Sequence, residues 1–525
     1  MPFTDAALNR RTFLTGSVAA VAGVTLLREP VAATEPPPLS LEDLTFASGI
    51  EAARAIRRGD VSSVELTSHV LKRIERHNGK VTAMVSVDPE RALEAAKAAD
   101  EALAKGEWRG PYHGVPWGVK DTYEVAGLKT TAGDPRLKDY VSGQDAVTVQ
   151  RMHHAGAICI GKTNVPLYAA DMQTFNDVYG TTNNPWDVSK SPGGSTGGGA
   201  AALAAGFCYL ALGSDIGGSI RNPANFCGVY GHKPTYNVVP TRGELASLPG
   251  GQPYPPDELS CAGPLARSAA DLRQMLEILG GPDDDASAAY VWKMPQPRGT
   301  RLNDFRVGYV LDDPLCPVVP EVKEKLLETI EALRNAGVKV EEGWPEGIHP
   351  GEQYATYAYL LLASYIQEQP EAALAELREA AKSDAADLLA IRARAWSDTH
   401  RGFDKARREQ IIHRAAWREW FKTHDVFLLP TAFTTAFDHV QSTPLELRTI
   451  QTSLGSRAYT DLLFYISFAT MTGNPATVAP VGLAGGKLPV GIQIMGPYME
   501  DGTSISFAGL LADIAGGFAV PPGYQ

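Results

Sequence analysis

The sequence predicts an α/β fold: one large domain in which helices cover a central sheet on both faces. Three observations lead there. Strand-like and helix-like segments alternate along most of the chain, the pattern of a sheet layered between helices rather than of a sandwich or a bundle. The composition is ordinary for a globular protein, with 44% hydrophobic and 21% charged residues in a chain of 525, enough to bury a sizeable core. Strand signals also stand on both sides of a helix-rich stretch at about 351–423, so that stretch reads as an insertion into a single domain over 41–525.

At the N-terminus, Asn9-Arg10-Arg11-Thr12-Phe13-Leu14 precedes a weakly apolar run from Thr15 to Leu27 and then Val31-Ala32-Ala33. This resembles a twin-arginine export signal over 1–33, cleaved near Ala33, and it predicts an exported, periplasmic protein. The run is too short and too rich in Ala, Gly and Thr for stable membrane insertion, which wants about 20 apolar residues. Glu35-Pro36-Pro37-Pro38 then reads as part of a stiff linker over 34–40.

Within the domain, Ser62 and Glu65 form a capping box, and Leu66, Val70 and Ile74 recur on one helical face. A strand is expected from Val81 to Val87. Phe305 to Leu311 has a buried-strand pattern, Glu321 to Asn335 is an amphipathic helix ended by Gly337, and Val338 to Val340 is another strand. From Gly351 to Thr423 the chain turns to Ala, Glu, Arg and Leu, which predicts helices. Strands resume at Val426–Leu429, Ala476–Pro480 and Val490–Met495.

Charge narrows the partners. A net charge of -12 argues against nucleic acid or an anionic membrane, since phosphate surfaces need clustered Lys and Arg. The five cysteines show no Cys-x-x-Cys spacing, so neither a zinc site nor a disulfide is expected. His113, His153, His154 and His232 lack metal-ligand spacing. No metal and no cofactor are expected.

From Ser191 to Thr235 the sequence is dense in Gly and Ser. Ser195 and Ser219 are each embedded in glycines, where the backbone approaches a substrate closely. Ala200 to Gly206 reads as a helix beginning just after Ser195, which puts partial positive charge there. Asp215-Ile216-Gly217-Gly218-Ser219 suits an oxyanion hole, because consecutive glycines let backbone N–H groups converge on one oxygen. Ser219 needs a base, and the block holds no His before His232. The best upstream candidate is Lys120, delivered by the apolar approach Gly114-Val115-Pro116-Trp117-Gly118-Val119; desolvation lowers a buried lysine's pKa and lets it accept a proton. Asp215 and Arg221 read as a scaffold ion pair around the nucleophile.

Two other motifs compete. Gly156 to Thr163 matches a phosphate-loop pattern, but its apolar β-formers read as a buried strand. Gly193-Gly194-Ser195-Thr196-Gly197 matches the nucleophile elbow of an α/β-hydrolase-type esterase using Ser195, yet the polar, Pro-bounded segment Trp186–Pro192 replaces the strand that should precede it.

HGVPWGVKD, GKTNVP, NNPWD, SPGGSTGGG, GSDIGGSIRNPANFCGVYGHKPT, GPLARS and LPVGIQIMGP together resemble the successive blocks of the amidase signature family, in family order. The resemblance implies a central mixed sheet and an amide hydrolase. It implies Lys120 as base, Ser195 on a cis peptide after Gly194 as proton relay, and Ser219 as nucleophile. The oxyanion hole would come from the N–H groups of Ile216, Gly217, Gly218 and Ser219. The chain departs from the common pattern at Thr196, Gly199 and His232, and carries Asp134 after Thr130-Thr131-Ala132-Gly133. Tyr168, Asp171 and Met172 are candidates for the pocket wall. The expected partner is a small-molecule amide, with a homodimer left open. A tRNA-dependent amidotransferase of the A type is the alternative within the family, and both the export signal and the acidic balance count against it.

Overall fold

The computed structural model describes residues 38–245, 248–249, 259–365, 388–442 and 444–525. The expected signal peptide and residues 34–37 of the expected linker lie outside the described residues. Leu39–Gln525 is one unit.

The chain opens with helices α1 (Leu41–Leu44), α2 (Gly49–Arg58) and α3 (Ser63–Val81). Each starts on a Ser that accepts from the backbone N–H three residues on, while the acidic residue there reaches back, so three capping boxes fix three helix starts. The expected strand from Val81 is shorter: α3 runs to Val81, and strand β1 covers Met84–Val87. The reason is Asn78, whose side-chain oxygen accepts from the N–H groups of Ala83 and Met84 and ends the helix in a tight turn. After α4 (Pro89–Ala104) come β2 (Pro116–Lys120), α5 (Val147–His154) and β3 (Ile158–Thr163). Every residue of β3 is buried, so the phosphate-loop match is a core strand.

Strands β4 (Phe175–Asn176) and β5 (Gly180–Thr181) form a small ladder before α6 (Gly197–Ala204), β6 (Leu210–Asp215), α7 (Arg221–Cys227), β7 (Tyr230–Lys233) and β8 (Cys261–Ala266). Helix α8 (Ala269–Leu279), β9 (Arg306–Tyr309), α9 (Pro320–Asn335) and β10 (Lys339–Glu342) follow. Between β10 and β11 (Val426–Pro430) the described chain holds the helices α10 (Pro350–Ser364), α11 (Leu388–Ser397) and α12 (His400–Trp420). The last part contains the hairpin β12 (Thr449–Thr452) and β13 (Gly455–Ala458), then α13 (Phe464–Thr472), β14 (Ala476–Ala484), β15 (Leu488–Met495) and α14 (Asp501–Ala515).

Eleven strands make one mixed sheet flanked by helices, in the order β1-β3-β2-β6-β8-β7-β14-β15-β11-β9-β10. Strands β3, β2 and β6 run parallel, as do β11, β9 and β10, and antiparallel pairs join the two parallel sets. The central strands β2, β6 and β11 are buried at every residue, which explains their unbroken apolar runs. All five cysteines are free and buried.

Candidate active site

The site forms at the carboxyl ends of β2 and β6, where parallel strands characteristically leave a crevice. Lys120 is the last residue of β2, and Asp215 the last of β6. The loop 216–220 leaves β6 for α7, and Ser195 stands two residues before α6. Three segments of distant sequence therefore converge.

Lys120 is fully buried. Its Nζ lies 2.7 Å from Ser195 Oγ and 2.9 Å from Ser214 Oγ. Burial lowers its pKa to about 8, against the pull of Glu244 and then Asp215, which favour the charged form. An amine in that condition is available as a base near neutral pH. The Gly194–Ser195 peptide is cis. Gly194 tolerates no side chain, because a Cβ would stand 2.4 Å from the Gln173 carbonyl oxygen. The Thr196 N–H donates to the Ser219 carbonyl at 3.1 Å, which ties the two serine segments together. The Thr196 side chain fills the space over Gly213, where a Cβ would come within 2.6 Å of its methyl.

Asp215 and Arg221 are both buried and form a forked pair: Arg221 Nη2 donates to Asp215 Oδ1 at 2.7 Å and Nε to Oδ2 at 3.0 Å. Burial alone would raise the Asp215 pKa, but the Arg221 charge and hydrogen bonds outweigh it and hold the carboxyl below its usual range. Arg221 also donates to the Ile466 carbonyl, Gln493 Oε1 and Thr470 Oγ1, so the loop is anchored to α13 and β15. The Asp215 carboxylate further accepts from the N–H groups of Gly218 (3.1 Å) and Ile220 (3.1 Å). This corrects the expected set of four oxyanion amides: an amide has one proton, and Gly218 gives its own to Asp215. Gly218 has φ +84, a conformation that favours glycine. From the helical insertion, Tyr357 Oη donates to the Ile216 carbonyl at 2.9 Å and braces the loop from the other side.

The pocket candidates divide. Met172 is buried. Tyr168 Oη bonds to Asp134 and accepts from Arg136 Nη2 at 2.7 Å; the Arg136 hydrogen bond, with burial opposing, holds Asp134 down to about 2. Asp171 is not a free wall residue: its carboxylate accepts from Arg448 Nη1 (2.6 Å), Tyr459 Oη (2.6 Å) and the Gln173 N–H (3.1 Å). It is a scaffold under the Gln173 backbone that packs on Gly194.

The rival histidines are structural. His232 is buried between Thr477 Oγ1 (2.9 Å) and Asp501 Oδ1 (3.1 Å), and burial lowers its pKa. His113 Nδ1 accepts from the Arg109 N–H (3.1 Å), which leaves Nε2 to donate to the Ala99 carbonyl (3.0 Å). The nucleophile-elbow alternative fails on context: no strand leads into Ser195, whose basic neighbour is Lys120 rather than an imidazole. Among the described residues no group of three His, Cys, Asp or Glu side chains stands together to hold a metal ion. None of their helices is long and apolar enough to cross a membrane.

Two residues of the site escape the reading of the sequence. Ser214, the lone hydroxyl within the buried strand β6, is noticeable from its position. Glu244 carries no local signal and is brought to Lys120 only by the fold.

Comparison with known proteins identifies the family and the fold. The amidase family model matches residues 65–504. The A-type chain of glutamyl-tRNA(Gln) amidotransferase from Moorella thermoacetica is 32% identical over 488 residues, covering 87% of this chain and 94% of that protein. The crystal structure of its Thermotoga maritima counterpart superposes with a TM-score of 0.71 at 26% identity, covering 91% of this chain and 98% of that one. A bacterial aryl acylamidase of the amidase signature family shares the fold, with a TM-score of 0.74 at 23% identity over 90% of this chain and 96% of the other.

Proposed function

The chain belongs to the amidase signature family, whose members act on carbon–nitrogen bonds, and from that membership and the lysine–serine geometry we propose that it is a stand-alone amidase that hydrolyses linear carboxamides through an acyl-enzyme on Ser219. The observation that carries this is the fully buried Lys120 Nζ 2.7 Å from Ser195 Oγ. Neutral Lys120 takes the Ser195 proton, Ser195 takes that of Ser219, and the Ser219 oxygen forms a bond to the amide carbon. The carbonyl oxygen becomes an oxyanion facing the N–H groups of Ile216, Gly217 and Ser219. Ser195 then passes a proton to the leaving nitrogen, the C–N bond breaks and the amine departs. Water opens the ester by the same relay and yields the free acid.

The oxyanion loop is tightly packed by apolar and polar groups together: a side chain at Gly217 would meet a Leu463 methyl at 3.3 Å and the Tyr357 hydroxyl at 3.8 Å, and one at Gly218 the Asn222 amide nitrogen at 2.8 Å and Ile466 at 3.1 Å. The second candidate, the A-type chain of a tRNA-dependent amidotransferase, is favoured by the 32% identity to the Moorella protein. Assay of the isolated chain on a panel of aliphatic and aryl amides separates the two. Release of free acid and amine, lost in Ser219→Ala, supports the hydrolase; glutamine cleavage seen only with added partner proteins would overturn it.

Export is part of the same proposal: the Arg10-Arg11 segment directs the folded enzyme to the periplasm and is removed near Ala33. Intact mass of the protein from an extracytoplasmic fraction tests this, and residues 1–33 found still attached would count against it.

A further inference from the structure

Between Ile216 and Ser219 the backbone has three peptide planes, and each is held at one end. The Ile216 carbonyl accepts from Tyr357 Oη (2.9 Å), the Gly218 N–H donates to Asp215 Oδ1 (3.1 Å), and the Gly218 carbonyl accepts from the Asn222 N–H (2.7 Å). A trans peptide is planar, so its carbonyl and its N–H point opposite ways and a held carbonyl aims the N–H beyond it. The two planes held by their carbonyls carry the N–H groups of Gly217 and Ser219, which donate to no protein group among the described residues. Their supports differ in origin. Asn222 stands in the first turn of α7, next to the nucleophile, whereas Tyr357 comes from α10 of the helical insertion, 141 positions from Ile216.

We propose that Tyr357 is a positioning residue for the oxyanion hole: its hydroxyl fixes the 216–217 peptide so that the Gly217 N–H is aimed at the developing oxyanion, and by drawing on the Ile216 carbonyl oxygen it makes that N–H a stronger donor. The proposal rests on Ser219 being the nucleophile whose adduct places an oxygen in that hole.

Tyr357 is placed as a fixed donor. Its side chain is fully buried, and its one proton goes to the Ile216 carbonyl. Burial raises its pKa well above the usual phenol range, so the proton stays through neutral and mildly alkaline pH. One turn earlier on the same face of α10, the buried Gln353 donates to the Phe468 carbonyl of α13 (3.4 Å) and accepts from Trp417 Nε1 of α12 (3.0 Å). Helix α13 also receives Arg221, the residue that grips Asp215. The two side chains that hold the loop, Asp215 and Tyr357, are therefore both referred to one helix.

Packing alone does not hold this plane. A Cβ at Gly217 would meet only Leu463 at 3.3 Å and the Tyr357 hydroxyl itself at 3.8 Å, whereas one at Gly218 would stand 2.8 Å from Asn222. Glycine has no Cβ to restrict its backbone, so without the hydroxyl the 216–217 plane can turn and the Ile216 carbonyl loses its partner. A misaimed amide stabilises an oxyanion less but leaves binding of the uncharged ground state as it was. The loss therefore falls on the bond-forming step.

The test uses a serine-directed fluorophosphonate, which reports on the hole whatever the natural substrate. The Ser219 oxygen bonds to phosphorus, the P–F bond breaks and fluoride leaves, the Ser219 proton passes through Ser195 to Lys120, and the phosphoryl oxygen takes the place of the oxyanion. Labelling kinetics give kinact and KI separately from about pH 6 to pH 9.5, with thermal melting as the check on folding. In Tyr357→Phe kinact should fall about tenfold while KI stays within about twofold. The rise with pH should keep its midpoint at about 8, because the base is untouched. A kinact within about twofold of wild type in the folded variant overturns the proposal. So does a loss carried by KI, by the labelled fraction or by melting alone, as a merely structural tyrosine would give, and so does a moved midpoint, which would place the effect on Lys120. Should Tyr357→Phe not fold, 3-fluorotyrosine in place of Tyr357 keeps the shape and strengthens the donor: kinact should rise about twofold, and an unchanged value overturns the proposal. Ser219→Ala separates the two levels. If it labels at the wild-type rate, the nucleophile assignment has failed; if it is inert while Tyr357→Phe labels as wild type, only the role of Tyr357 has.

Discussion

Lys120 and Lys162 stand on adjacent parallel strands, both with no exposed surface, and they do different things. The register pairs Lys120 with Thr163 and Val119 with Lys162, so the two lysines are one position out of step and their side chains leave opposite faces of the sheet. Lys162 meets the Asp121 carboxylate at 3.2 Å and donates to the Tyr123 carbonyl (2.6 Å) and Thr130 Oγ1 (2.9 Å). Lys120 meets two serine hydroxyls. Lys162 meets a hydroxyl too, but its Asp121 carboxylate favours the charged amine against the effect of burial, whereas the two partners of Lys120 are hydroxyls, which can give up a proton. Burial makes a lysine easier to neutralise, but the partner decides whether it becomes a base or a strut.

The sharpest way to break this contrast is to fix the charge at each site. Lys120→Arg keeps the charge but cannot release a proton, so kcat should fall by about 10³-fold or more with the fold retained, read by steady-state turnover and circular dichroism. Near-normal turnover in that variant would remove the distinction between the two lysines. Lys162→Met leaves the Asp121 carboxylate buried without its cation, and denaturant unfolding should show a loss of about 3–5 kcal/mol. A loss below about 1 kcal/mol, the range of exposed ion pairs, would mean Lys162 is no strut.

A pH profile sharpens the same contrast with a smaller effect. Protonated Lys120 has no lone pair, and burial brings its pKa to about 8, so kcat/KM should rise with pH and flatten above that value. Below it each unit of pH should cost about tenfold. A flat profile between about pH 6 and pH 9 would point to a base other than this lysine. The smallest effect is expected at the buried imidazole. His232→Gln should leave the chemical step in single-turnover measurements within about threefold, since losing a true general base costs 10²-fold or more. A larger loss there, with the fold intact, would reopen a histidine-based mechanism.

Much of the molecule is legible along the chain, for reasons that can be traced to particular residues. The helix starting after Ser62 is readable because a capping box is a contact over three residues. Strands β9, β11, β14 and β15 fall within about two residues of the expected starts, as buried runs bounded by polar turns should. Val81 reads as strand because its β-branched side chain suits one, while the Asn78 side chain that ends the helix around it gives no periodic signal. Asp171 reads as pocket wall because a carboxylate near Gly194 suggests substrate contact. Its partners Arg448 and Tyr459 lie 277 and 288 positions away, out of reach of any local pattern.

The sequence by itself determined the α/β layering, the serine pair in its glycine setting, the family and the lack of a histidine in the glycine-serine block before His232. These are properties of residue type and short spacing, carried by segments that fold the same way wherever they are placed. Only the tertiary structure decided which carboxylates face which cations: Asp215 takes the Gly218 amide, Asp121 claims Lys162, Asp171 locks Arg448, and Glu244 comes to Lys120. A charge acts through distance in a low-dielectric interior, and distances between far segments exist only once the sheet has set its strand order. The chemistry of the site is written in its residues; the protonation state that lets them act is set by the fold.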